Sequence, residues 1–230
     1  MVERGERYLG GVNRTMRDFL GEDIWSRLLS RGIERQHATG SQLLRQGEPG
    51  THVLALRGGV TKVVRHEHTG RAVLLAFRGP GELLGEVAVF DDDVRSASVE
   101  AISDCAVTVV SKAEFLRFAA EHELFPQLVR YAFHRLRESD QARATGALPS
   151  RLAAVLVRLA GLASAPSQPP ADVTELALTR DDLAEHLQVS RNTVTAALSD
   201  LSAYLGVRRK CITVEDIHGL RRVADPVVHL

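Results

Sequence analysis

An α+β fold is predicted for this chain: an N-terminal antiparallel β-barrel of jelly-roll (double-stranded β-helix) type, a long helix, and a C-terminal winged helix-turn-helix. Three observations predict it. Nine of the 18 glycines lie between Gly40 and Gly85, where they separate short apolar stretches at the spacing of strands and turns in a small barrel. Apolar residues at helical spacing follow Pro126. Towards the end come two short capped helices and then an apolar, basic, apolar run.

The chain has 230 residues, enough for two compact domains that each bury a core. Apolar residues make up 44% and charged ones 25%, ordinary globular values that argue against a largely disordered chain. Basic and acidic side chains number 29 each, which excludes a chain that holds polyanions by bulk charge. Any such contact must come from local placement. Cys105 and Cys211 are too few for a disulfide framework, a four-thiolate zinc site or an all-cysteine iron–sulfur cluster. The longest apolar run, residues 72–77, is far too short to span a bilayer. No membrane association and a cytoplasmic location are therefore expected.

The elements follow in order. Strands are expected at 53–56, 60–64, 72–77 and 83–84, and a β pattern continues over 99–110. Ser111 with Glu114 three residues later forms a capping box that opens a helix. Beyond Pro126, the residues Leu128, Val129, Ala132, Phe133, Leu136, Ser139, Asp140 and Arg143 share one helical face. The stripe is apolar at its start and polar at its end, which suits a dimer seam or a helix lying on its own barrel. Residues 146–150 are a hinge candidate, 151–162 a short helix and 164–171 a loop by composition. The expected division is 1–124 for the barrel domain, 125–147 for the long helix and hinge, and 148–230 for the winged helix-turn-helix domain.

In that last domain, Thr179 caps a helix over 180–187, and Ser190 caps a second that runs to about residue 204. A helix-turn-helix needs a small residue at the crossing and apolar residues that lock the helices. Ala184 supplies the first, and Leu183, Leu187, Val189, Val194 and Leu198 the second. Such a second helix presents its N-terminal residues to base edges. Arg191 can pair with guanine, Asn192 with adenine, and Thr195 can hydrogen-bond or touch a thymine methyl. Thr193 shares that first turn, with the caps Thr179 and Ser190 near the backbone. Arg208, Arg209 and Lys210 form a basic tip between two short strands, a wing suited to phosphate. Gln188 stands at the turn where glycine is common, so a less tight turn is expected.

Residues 84–99 read Leu-Gly-Glu-Val-Ala-Val-Phe-Asp-Asp-Asp-Val-Arg-Ser-Ala-Ser-Val. This segment resembles the phosphate-binding cassette of cyclic-nucleotide-binding domains. With residues 40–59 and the helix-turn-helix in the right order, the chain resembles the cyclic-AMP receptor/fumarate-nitrate regulator (CRP/FNR) superfamily of bacterial transcription regulators over nearly its whole length. The resemblance implies that Glu86 holds a ribose hydroxyl, Arg95 grips the cyclic phosphate, Ser96 adds a hydroxyl donor and Gly85 allows close backbone approach. It places Val63, Leu75 and Val87 on the base side, with Arg135, Ser139 and Asp140 meeting the base from the long helix. It further implies a homodimer with no enzymatic activity and no cofactor, switched by an allosteric cyclic nucleotide, cyclic AMP first and cyclic GMP second. The implied partners are double-stranded DNA and RNA polymerase.

Several residues depart from the family pattern. Asp91, Asp92 and Asp93 stand near the proposed anion site, where unscreened acids weaken phosphate binding. The segment from 126 to 151 is several residues shorter than in the best-known cyclic-AMP-responsive members. Asn192 and Ala196 replace an acid and a base-reading arginine of the family's recognition helix, so a different operator preference is expected. A regulator with another effector, or none, is the alternative. The remote alternative is a cupin-type metal enzyme built on His66 and His68, but Thr69 and Gly70 place that pair at a hairpin tip with no third ligand after it.

Overall fold

The structure is a computed structural model that describes residues 14–141, 147–163 and 173–224, with the side chains of 137–141 outside the description. Two short helices, α1 (Met16–Leu20) and α2 (Glu22–Ser30), precede the barrel. The strands are β1 (Ile33–His37), β2 (Gln42–Leu44), β3 (His52–Gly58), β4 (Thr61–His66), β5 (Ala72–Arg78), β6 (Leu83–Leu84), β7 (Ser98–Ala101) and β8 (Cys105–Ser111), with helix α3 (Glu86–Phe90) between β6 and β7. They form two antiparallel four-stranded sheets, ordered β1-β8-β3-β6 and β2-β7-β4-β5.

The inner faces of the two sheets meet in one apolar layer, with Leu44, Val99 and Ala101 from one sheet and Leu54, Leu56, Leu84, Cys105 and Val107 from the other. The outer face of β3 and β8 is covered by helices, where Val53, Ala55 and Val110 pack with Met16, Trp25, Leu28, Phe115, Phe118 and Tyr131. Burial on both faces explains why β3 reads as an unbroken apolar run, with Val53, Leu54, Ala55 and Leu56 all buried.

The expected pattern over 99–110 is two strands, because Ile102, Ser103 and Asp104 turn the chain. The Ser103 hydroxyl accepts the Val60 amide at 2.9 Å, and the Asp104 carboxylate accepts the Thr39 amide at 2.9 Å. Ser111 caps α4 (Lys112–Glu121), its hydroxyl accepting the Glu114 amide at 3.3 Å. The other half of the expected box is not made, since the Glu114 carboxylate turns to Arg31 at 3.0 Å.

The long helix is α5 (Phe125–Gln141). α6 (Leu148–Ala163) begins inside the expected hinge, so residues 148–150 are its first turn, where Pro149 is tolerated. Gly146 and residues 164–171 lie outside the described residues. β9 (Thr174–Leu176), α7 (Arg180–Leu187), α8 (Arg191–Asp200), β10 (Leu205–Arg208), β11 (Cys211–Val214) and α9 (Ile217–Ala224) complete the fold. The strands pair β10-β11-β9, so the wing has a third strand that sequence reasoning missed. α8 ends four residues earlier than expected.

The core of this C-terminal domain joins the barrel. Val60, Val64, Leu74, Phe77 and Ile102 share one buried cluster with Leu152, Leu156, Leu176, Leu183 and Leu187. The Ala177 amide donates to the Ile102 carbonyl at 2.7 Å across the same seam.

Candidate ligand pocket and nucleic-acid interface

The chain enters α3 through Gly85, which takes a left-handed conformation with φ of 81°. A Cβ there would lie 2.4 Å from a guanidinium nitrogen of Arg95 and 2.9 Å from Leu44 Cδ1. Both the dihedral and the crowding require glycine. Arg95 is 4% exposed. Its guanidinium donates to the carbonyls of Gly85 and His52, and its own amide donates to the Glu48 carbonyl at 2.8 Å. Among the described residues two of its five N–H donors are thus used to fix the side chain beside Gly85 and Glu86, and three remain.

Burial works against the charges of this cluster. It raises the Glu86 carboxyl above the usual carboxylate range, opposed by its backbone amide and the cations Arg78 and Arg95. It lowers the Arg95 guanidinium, opposed by Glu86 and Glu48. Ser96 is exposed.

Val63 is half-buried against the barrel interior, while Leu75 and Val87 are 49% and 51% exposed. The pairing of β4 with β5 passes from Val63↔Ala76 to Val64↔Leu74, so Leu75 is the extra residue of a β-bulge beside Val63. Two of the three acids are directed elsewhere. Asp92 pairs with Lys112, and the Asp93 carboxylate accepts the Val94 amide at 2.7 Å.

Arg135 is engaged by Glu82 at 3.2 Å, and its guanidinium lies 5.0 Å from the centre of the Tyr131 ring. Glu82, 4% exposed, also accepts the Tyr131 hydroxyl. Arg135, expected to meet a base, is placed here in an ion pair that ties α5 to the turn before β6. The signal for it, a buried acid at Glu82 that needs partners, is not visible in sequence. Ser139 and Asp140 have side chains outside the described residues.

In the C-terminal domain Thr179 and Asp182 form a full capping box. The Thr179 hydroxyl accepts the Asp182 amide at 3.0 Å, and the Asp182 carboxylate accepts the Thr179 amide at 2.8 Å. Ser190 caps α8 by accepting the Thr193 amide at 3.1 Å. Gln188 adopts the left-handed conformation, φ 55° and ψ 46°. Its side-chain amide donates to the Glu185 carbonyl at 2.7 Å, and the Val189 amide to the Ala184 carbonyl at 3.0 Å. The expected looser turn is therefore a closed one. Ala184, Leu183, Leu187, Val194 and Leu198 are buried where the helices cross.

Arg191, Asn192, Thr193 and Thr195 are exposed on the first turns of α8, and the Thr195 hydroxyl donates to the Arg191 carbonyl at 2.9 Å. Arg191 approaches Asp181 at 3.6 Å, with both side chains 64% exposed. Arg208 pairs in register with Cys211 across a two-residue turn, which places Arg208, Arg209 and Lys210 together, all exposed. Among the described residues no helix is long and apolar enough to cross a membrane.

Comparison with known proteins matches two family models, the cyclic nucleotide-binding domain over residues 34–122 and the Crp-like helix-turn-helix domain over 150–223. A CRP-like cAMP-activated global transcriptional regulator of Mycobacterium tuberculosis is 28% identical over 191 residues, 80% of this chain and 85% of that one. A cyclic AMP receptor protein of Thermus thermophilus is 31% identical over 117 residues, 49% of this chain and 52% of its own. Among solved structures, a CRP/FNR-family transcriptional regulator of Thermus thermophilus superimposes with a TM-score of 0.56 at 25% identity, over 84% of this chain and 98% of that one.

Proposed function

The chain belongs to the CRP/FNR family of transcription regulators, and on that premise we propose that it is a homodimeric regulator that binds a cyclic nucleotide, cyclic AMP first, in the barrel and operator DNA through α8 and the wing. The observation that carries the effector reading is Arg95, a buried guanidinium held by two main-chain carbonyls with donors to spare. A buried cation fixed in place is suited to an anion, because charge-assisted bonds strengthen away from water and no reordering is needed on binding. Glu86 beside it would accept a hydroxyl. Val63, Leu75 and Val87 offer apolar surface to a base.

The second copy is supported by α5. Phe125, Val129, Phe133 and Leu136 lie on one helical face and are 53%, 52%, 58% and 63% exposed, an apolar patch of the kind that marks a partner surface. Two-fold pairing along this stripe would set two recognition helices for successive major grooves, about 34 Å apart. Polymerase contact remains an expectation from the family alone.

Calorimetric titration of ligand-free protein with cyclic AMP and cyclic GMP tests the reading. Binding heat with one of them, lost in Arg95→Ala, is expected. An absence of heat with both would overturn it.

A further inference from the structure

Arg78 ends β5 on the wall that carries the apolar side of the pocket. The register pairs Thr61, Lys62 and Val63 of β4 with Arg78, Phe77 and Ala76 of β5. Partners across a ladder project to the same face, and neighbours along a strand to opposite faces. Lys62 and Phe77 face α7, since Lys62 reaches Asp182 at 3.1 Å and Phe77 packs on the His186 ring with centroids 4.8 Å apart. Thr61, Val63, Ala76 and Arg78 therefore face the other way, where Val63 joins the barrel interior. The main chain at Arg78 is well fixed. The fully buried Thr61 donates its hydroxyl to the Arg78 carbonyl at 3.4 Å, and a Cβ at Gly79 would lie 3.0 Å from Leu162 Cδ1 of α6.

The guanidinium on this half-buried side chain is only partly satisfied. One nitrogen donates to the Phe77 carbonyl at 2.8 Å. Nε is buried and, among the described residues, meets no acceptor. A buried donor without an acceptor is costly and uncommon, so its place in a pocket wall calls for a partner. The charges around it locate the group. Burial raises the Glu86 carboxyl and the Tyr131 phenol, and Arg78 opposes both rises. Burial lowers the His52 imidazole, and Arg95 deepens that fall. Two arginines thus flank Glu86: Arg95 on the side of His52, whose carbonyl it holds, and Arg78 on the side of Tyr131 and α5. Arg135, the cation that α5 itself brings to that side, is engaged by Glu82 at 3.2 Å.

From this arrangement we propose that Arg78 is the base-reading residue of the pocket and donates an N–H to the N7 acceptor of a purine. The assignment rests on the reading of Glu86 and Arg95 as the ribose and phosphate contacts. In a cyclic nucleotide the ribose stands between phosphate and base, so a cation across Glu86 from Arg95 stands at the base end. Val63 on the same face, with Leu75 beside it, gives the base its apolar bed. Arginine is a donor only, and N7 is an acceptor in adenine and guanine alike. One such bond therefore selects a purine without choosing between the two. Cytosine carries an amino donor at the matching edge and leaves Arg78 unpaired. Because the strand holds Arg78 in place before any ligand arrives, little ordering is lost on binding.

Calorimetry on the full, ligand-free chain compares cyclic AMP with its 7-deaza analogue, in which a C–H replaces N7 while ribose and phosphate are unchanged. Wild-type protein is expected to bind the analogue at least about tenfold more weakly, the effect of taking an acceptor from a charged donor. Arg78→Met keeps an unbranched stem without donors and is expected to bind the two nucleotides equally. Arg78→Lys, which restores a charged donor, is expected to recover part of the difference. Equal affinity of the wild-type protein for both nucleotides would overturn the assignment and leave the pocket reading intact, and that comparison needs no variant. A difference that stays at full size in Arg78→Met would give the N7 contact to another residue, which also overturns it. Binding of neither nucleotide by the wild-type protein would overturn the pocket reading, and the assignment with it.

Discussion

Gly85→Ala separates the cost of a backbone conformation from the cost of disturbing Arg95. Gly40 and Gly85 share a φ of 81°, but a Cβ at Gly40 meets nothing within 4 Å, whereas one at Gly85 would fall 2.4 Å from the Arg95 guanidinium. A left-handed conformation costs an alanine about 1–2 kcal/mol, partly offset by its lower entropy in the unfolded chain. Gly40→Ala should therefore lose about 1 kcal/mol. Gly85→Ala carries the same strain and must also displace Arg95 from the Gly85 and His52 carbonyls. Hydrogen bonds from a charged donor contribute about 1.5–3 kcal/mol each, so losing one of them brings the total to about 2.5–4 kcal/mol. Urea denaturation of the two variants beside the wild type reads the difference directly. Calorimetry on the same samples should find nucleotide binding kept in Gly40→Ala and lost in Gly85→Ala. Equal destabilisation, or unchanged nucleotide binding in Gly85→Ala, would refute the account of the cassette.

Three further outcomes are expected. Burial against Phe77 first, and then the charges of Arg158 and Arg151, push His186 down from 6.5 to about 4. The unfolded chain then binds a proton the folded one refuses between those values, so stability falls with acidification, by about 2 kcal/mol from about pH 7.5 to about pH 5. Besides Arg151 and Arg158 on α6, the ion pairs Lys62–Asp182 and Arg71–Glu185 border this seam; a difference that persists unchanged in His186→Gln would refute the assignment to His186. Phe133→Glu places a charge on the apolar stripe of α5 and should give a monomer in sedimentation analysis, with dimer of undiminished affinity counting against that seam. For DNA, Arg191→Ala should lower sequence preference, while Arg209→Ala should weaken binding to all sequences and reduce the salt slope by about one; equal losses on selected and random duplex in both would remove Arg191 as a base reader.

Local chemistry was legible in the sequence wherever one residue decides it. Ser111, Thr179 and Ser190 cap helices because their hydroxyls meet amides three residues on. The glycines of 40–85 mark turns, and the basic tip at Arg208 to Lys210 sits where a wing was expected. What escaped is tertiary. β1 reads Ile-Glu-Arg-Gln-His and is mostly exposed, an edge strand visible only through its pairing with β8. α1 carries a capping box at Thr15 and Asp18, but its reason to form is Met16, fully buried against the barrel. Lys62 and Asp182, 120 residues apart, have no sequence pattern that joins them. At Gln188 residue preference predicts a looser turn, but its side-chain bond to the Glu185 carbonyl supplies what glycine would have supplied by freedom. In the pocket, Gly85 and Arg95 were legible as a motif, whereas the capture of Arg135 by Glu82 was not, because it depends on burial.

In the proposed switch, a nucleotide held by Arg95 controls DNA reading by α8. Fluorescence anisotropy of a labelled, selected duplex, titrated with the wild-type protein and with Arg95→Ala in the presence and absence of cyclic AMP, tests it most directly. Cyclic AMP should tighten wild-type binding by at least about tenfold, within the usual range of allosteric coupling, and leave Arg95→Ala unmoved. A wild-type affinity indifferent to the nucleotide, or a response that survives in Arg95→Ala, would contradict it.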